Sequence, residues 1–149
     1  MTRAQRGFTL LELVVVMAIA AAAFGIVLAF ASKGASSADL KAAARAIASG
    51  LRQAQSTAMA TRRDALLTLD VESREFVLTG EARTHRLPEG IALKLFTAQS
   101  EAESERKGSI RFHPDGSSTG GRVTVAAGER RLGVDVDWLT GRVAIGDAP

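Results

Sequence analysis

Phe8 to Ala31 read FTLLELVVVMAIAAAAFGIVLAFA, 24 residues that carry a single charge, Glu12. As a helix this stretch spans about 36 Å, enough to cross a hydrocarbon core about 30 Å thick. A chain of 149 residues is too small to surround a helix that is apolar on every face, which argues against a buried core helix. A secretory signal sequence fits poorly, because its apolar region runs only about 7–15 residues. An uncleaved signal anchor stays open as an alternative. Arg3 and Arg6 precede the run, and Lys33, Lys41 and Arg45 follow it closely, so the basic residues alone do not orient it.

Glu12 is the odd residue in this stretch. A carboxylate at mid-bilayer costs about 2.5–3.5 kcal/mol or more. Glu12 stands four residues past Phe8, near one end of the span, where water can reach it. It reads either as a tolerated interfacial charge or as a carboxylate that meets a cation on another chain.

Composition narrows the rest. The formal net charge is +3, of which Arg3 and Arg6 supply two; from Phe8 onward 17 basic side chains face 16 acidic ones, leaving +1. That balance is a weak argument for nucleic-acid binding. There is no cysteine, so neither a disulfide nor a thiolate metal site can form. The two histidines, His85 and His113, are far apart in sequence. No metal, cofactor or catalytic residue is expected.

Beyond Lys33 the apolar period is helical. Leu40, Ala44, Ile47, Leu51, Ala54 and Ala58 recur at spacings of four and three, which predicts an amphipathic helix over residues 36–62. No proline occurs before Pro88, so this helix is expected to be continuous, or nearly so, with the apolar one, with Gly34, Ser36 and Ser37 as the flexible point. After Arg63 the period changes to two. Strands are expected at 65–71 and 75–79 (a hairpin about Glu72–Arg74), 91–96, 110–113, 122–125, 132–138 and 142–145. Residues 97–108, TAQSEAESERKG, lack apolar periodicity and read as an exposed loop, mobile or in contact with a partner. The expected organisation is a leader over 1–7, a transmembrane helix over 8–33, an amphipathic helix over 34–63 and an antiparallel β domain over 64–149. The fold class is α+β, with the helix packed on an antiparallel sheet or β-sandwich.

One motif misleads. Gly116-Ser117-Ser118-Thr119-Gly120 matches the Gly-x-Ser-x-Gly of hydrolase nucleophile elbows, which need a strand-to-helix turn. Here Gly121-Arg122-Val123-Thr124-Val125 continues as a strand, and both histidines precede Ser118. A turn is the better reading, with Pro114, Asp115 and Gly116 supplying its dihedrals. Asp115, Gly116, Ser117, Ser118, Gly120 and Gly121 then form a candidate interaction loop. His113 and Trp138 read as strand and core or rim residues.

Two stretches carry a family resemblance. Arg6-Gly7-Phe8-Thr9-Leu10-Leu11-Glu12-Leu13 resembles the processing motif of type IV pilins and type II secretion pseudopilins. The resemblance implies that a prepilin peptidase cuts between Gly7 and Phe8 on the cytoplasmic side and that Phe8 is then N-methylated. It also implies that Glu12 acts in assembly. Cleavage would create a cationic amine on Phe8; Glu12 of one subunit could meet that amine on another, and the pair would set axial register more than it adds stability. Ile110-Arg111-Phe112-His113-Pro114-Asp115-Gly116-Ser117-Ser118-Thr119-Gly120-Gly121, with Leu139-Thr140-Gly141-Arg142-Val143, resembles the C-terminal signature of the GspH/FimT family. That implies a pilin-like fold and a minor pseudopilin, a structural subunit near the tip of the type II secretion pseudopilus that supports export of folded proteins. The implied partners are other major and minor pseudopilins, the prepilin peptidase, an inner-membrane assembly platform and the lipid bilayer, with the N-terminus cytoplasmic and the β domain periplasmic.

Two alternatives stand beside it. A type IV pilus minor pilin of the FimT or FimU kind would implicate Arg122, Arg130, Arg131 and Arg142 as a DNA-binding patch, although Asp135 and Asp137 interrupt it, so nucleic acid is not the expected partner. An unprocessed single-pass membrane protein is the other.

Overall fold

The computed structural model describes residues 10–31, 35–98, 101, 104 and 106–148. It divides into two compact units, Met1–Lys33 and Gly34–Pro149. In the first, α1 spans Leu10–Ala31. The uniformly apolar run leaves this helix with no polar face, as the sequence predicts.

The second unit opens on α2, Ser37–Thr61. Its start falls in the stretch read as the flexible point, where Ser36 is extended (φ −76°, ψ 165°) and caps the helix. Ser36 Oγ accepts from the Asp39 amide at 3.2 Å, and Asp39 Oδ2 accepts from the Ser36 amide at 2.9 Å. This reciprocal box satisfies two helix-start amides, a contribution of about 1 kcal/mol. At the other end Arg62 turns into the left-handed region at φ 54° and stops the helix. All six residues of the predicted stripe are buried, joined by Ala43 and Ala48. At about 1.5–3 kcal/mol per large apolar side chain, Leu40, Ile47 and Leu51 hold the helix on the sheets.

Among the described residues eight strands follow: β1 Ala65–Asp70, β2 Glu75–Leu78, β3 Thr84–Arg86, β4 Ala92–Thr97, β5 Lys107–Phe112, β6 Gly121–Ala127, β7 Arg130–Val136 and β8 Val143–Asp147. They form two four-stranded antiparallel sheets, ordered β3-β2-β1-β5 (sheet A) and β4-β6-β7-β8 (sheet B). Helix α2 packs on β1 and β5 of sheet A and on β6, β7 and β8 of sheet B. The core gathers Ile47 and Leu51 with Leu67, Leu69, Ile110 and Phe112 from one sheet and Val123, Val125 and Val134 from the other. Close approach needs Gly50, since a Cβ there would lie 2.8 Å from Phe76 Cε2 and 3.0 Å from Leu67 Cδ1.

Two expectations change. β3 went unpredicted, because Thr84-His85-Arg86 has no apolar alternation; it forms as a polar edge strand against β2, with Arg86 on Glu75 at 2.6 Å. The stretch 97–108 is also not a uniformly exposed loop. Thr97 ends β4, Lys107 and Gly108 open β5, and Glu101 is buried.

Candidate assembly surface

Two features offer contact surface, one in each unit. In α1, Leu10, Leu11, Leu13, Val14, Val15, Val16, Met17 and Ile19 are all exposed. These neighbours point in every direction around the helix, so no side is reserved for water. Glu12 lies in its first turn. Gly7 and Phe8 lie outside the described residues. Among the described residues no helix is long and apolar enough to cross a membrane; the side chains described in α1 run from Leu10 to Phe24, while its backbone is helical over 22 residues.

In the β domain, the candidate loop Asp115–Gly121 is a compact turn between β5 and β6. Asp115 Oδ1 accepts from the Ser117 amide at 2.9 Å and from its hydroxyl at 2.6 Å. Those bonds, the hydroxyl's first, hold the Asp115 carboxyl below its ordinary range. Ser118 is buried, donates to the Arg111 carbonyl at 2.7 Å and accepts from the Gly120 amide at 3.1 Å. Its hydroxyl therefore serves the turn, and no histidine bonds to it. His113 pairs instead with Asp64, Nδ1 to Oδ1 at 3.1 Å.

A second turn lies alongside. Asp137 Oδ1 accepts from the amide and hydroxyl of Thr140, each at 2.8 Å, which lowers the Asp137 pKa. The Ser118 amide donates to the Trp138 carbonyl at 2.8 Å, joining the two turns. Gln55 of α2 fastens both: its Nε2 donates to the Gly116 carbonyl at 2.9 Å and to the Thr140 carbonyl at 3.2 Å. Gly141, at φ 62°, has no room for a side chain, since a Cβ would overlap the Gly116 oxygen and the Gln55 amide. The Asp-Gly-Ser-Ser-Thr-Gly-Gly and Leu-Thr-Gly-Arg stretches thus form one clamped structure.

The clamp and the adjoining β4 display apolar side chains. Trp138 is 65% exposed, Leu139 63% and Phe96 74%. A groove of about 660 Å³ lies between Phe96 and Trp138, with Gly120 and Gly121 in its wall. Trp138 is therefore a surface residue, and the rim reading holds over the core one.

An ion network braces the neighbouring loop. Arg111 Nε meets Glu101 Oε1 at 2.9 Å, and Arg111 also reaches Asp64 at 3.4 Å. Hydrogen bonding to Glu101, then the charge of Glu101, raises the Arg111 pKa against the effect of burial. Of the four arginines considered for DNA, Arg122 is bonded to Asp135 across β6 and β7.

Gln55, Asp64 and Glu101 escaped sequence reading. Gln55 flanks the apolar stripe like any solvated helix residue. Asp64 follows the helix end, and Glu101 sits among several like charges. Each gains its role from a partner at least ten residues away.

The geometry can be set beside known proteins. Residues 2–31 match the prokaryotic N-terminal methylation motif, and residues 43–140 match the family described as type II transport protein GspH. The type II secretion system protein H of Xanthomonas campestris pv. campestris is 33% identical over 144 residues, covering 97% of this chain and 85% of that one. The fold resembles the minor pseudopilin EpsH of Vibrio cholerae, with TM-score 0.58 and 12% identity over 73% of this chain and 97% of that chain. It also resembles the type IV minor pilin FimU of Pseudomonas aeruginosa, with TM-score 0.55 and 14% identity over 71% and 91% of the two chains. On the extent of the family match and the near full-length relative, this chain belongs to the GspH family of type II transport proteins.

Proposed function

We propose that the chain is a minor pseudopilin that works as a structural subunit and carries out no chemistry of its own. A prepilin peptidase removes residues 1–7, leaving Phe8 as a methylated amino terminus. The apolar helix then holds the chain in the inner membrane, with residues 34–149 in the periplasm, until an assembly platform inserts it near the tip of the pseudopilus among other major and minor pseudopilins. The filament supports passage of folded proteins across the outer membrane.

The observation that carries this reading is α1. Its apolar side chains stand exposed around the helix, and burying them requires either lipid or a bundle of like helices. A 22-residue helix is about 33 Å long, which matches a hydrocarbon core. The test is the mass of the chain recovered from envelope membranes. Loss of residues 1–7 with a methylated Phe8 is expected; an intact leader overturns the reading in favour of an unprocessed anchor.

A type IV pilus minor pilin is the second reading, favoured by the FimU-like fold. DNA binding by it would weaken steeply with salt. The pairing of Arg122 with Asp135 counts against a dedicated DNA patch.

A further inference from the structure

The outer face of sheet B has features that the fold itself does not require. Val123, Val125, Val134 and Val136 point into the core, so the residues between them face outward. Lys94, Thr124, Gly133 and Gly146 lie side by side across the four strands. Phe96 and Arg122 stand in the row on one side of them, and Arg131 in the row on the other. A shallow cavity of about 360 Å³ opens here, with Lys94, Arg122 and Arg131 above a floor of Thr124 and alanines. Among the described residues that face outward here, Lys94, Arg122 and Arg131 are cationic and Asp135, bonded to Arg122, is anionic.

Gly133 and Gly146 are the second sign. In the β domain and α2, every other described glycine has a positive φ or, like Gly50 and Gly108, a Cβ position 2.8 Å from a neighbour. A Cβ on Gly133 would come no closer than 3.6 Å to anything, and one on Gly146 would meet nothing within 4 Å. Glycine weakens a strand, and mid-strand it often marks a place where another backbone approaches. Among the described residues none comes closer than 3.6 Å to either Cβ position.

We propose that this face seats an acidic segment of another filament subunit. Its carboxylates meet Lys94, Arg122 and Arg131, its backbone lies over Gly133 and Gly146, and an apolar side chain rests against Phe96. The proposal builds on the reading of the chain as an assembled subunit. A peptide with a few carboxylates suits this face better than a phosphate backbone, which needs a longer track of cations.

The test uses the full-length chain with p-benzoylphenylalanine in place of Ala92, co-produced in membranes with the other pilin-like subunits of its system. The expected result is a photo-adduct whose partner peptide, mapped by mass spectrometry, is acidic. Lys94→Glu and Gly146→Val should each reduce the adduct about tenfold or more. Both variants should melt no lower than the parent, because valine suits an open strand position better than glycine. Changing the partner's carboxylates to lysine should restore the adduct with Lys94→Glu. No adduct, an adduct on a non-acidic peptide, an adduct unchanged in the variants, or an adduct to duplex DNA that the two variants lose each overturns the proposal. If both variants enter filaments normally while Glu12→Ala does not, the surface is wrong and the filament reading stands.

Discussion

Glu12 and Gly141 show how much can rest on one position. A carboxylate in a bundle of apolar helices must be matched by a cation, and processing at Gly7 would supply that cation as the Phe8 amine. Glu12→Ala is therefore expected to leave cleavage largely intact and to impair filament incorporation; measured secretion at the parental rate would remove the register argument. Gly7→Val should block cleavage outright, because a branched side chain does not fit a site selective for glycine, and a processed variant would displace the assigned cut. At Gly141 the constraint is steric. A side chain there combines a left-handed φ with overlap onto Gly116 and Gln55, so Gly141→Ala should destabilise the β domain by about 2–4 kcal/mol in chemical denaturation. The glycine-rich turn and the Thr-Gly-Arg turn were both legible in the sequence as turns. Their union was not, because the bond between them is made by Gln55, whose neighbours in sequence say nothing of two carbonyls far along the chain.

At the scale of elements, α2 organises the domain. Its stripe was readable because one helix face must repeat every three or four residues wherever it is buried. Its start was read at Ser36, one residue before α2 begins; what periodicity did not reveal is the reciprocal cap that Ser36 and Asp39 form. Ser36→Ala should cost about 1 kcal/mol, read as a lower thermal midpoint for the β domain with α1 unaffected. A midpoint that does not move would show that packing alone starts the helix. The strands divide in the same way. Those with alternating apolar residues announced themselves, whereas β3 forms because the β2 edge offers it hydrogen bonds, a cause that no alternation in Thr84-His85-Arg86 records.

For the whole molecule, acid is the informative variable. Asp39, Asp64, Asp70, Asp115 and Asp137 all have lowered pKa values in the folded chain. The leading causes are hydrogen bonds from Ser36, His113, Ser73, Ser117 and Thr140 respectively. A group with a depressed folded pKa stabilises above its unfolded value, about 3.9 for aspartate, and that stability is lost as pH falls through the folded value. The β domain should therefore hold a steady melting temperature from neutral pH down to about 5 and lose it progressively below about 4. A melting temperature unchanged down to pH 3 would mean that these carboxylates bond equally well in the unfolded chain.

The sequence by itself determined the apolar helix, its single carboxylate, the amphipathic stripe and most of the strands. Each is a local pattern whose period matches the geometry of one element, and the family resemblance rested on short contiguous motifs of the same kind. Only the tertiary structure decided that Gln55 clamps two distant turns, that Glu101 is drawn inward by Arg111, and that the strands divide into two sheets on one helix. Those outcomes depend on pairing between residues remote in the chain, where burial and hydrogen-bond geometry, not periodicity, choose the partner.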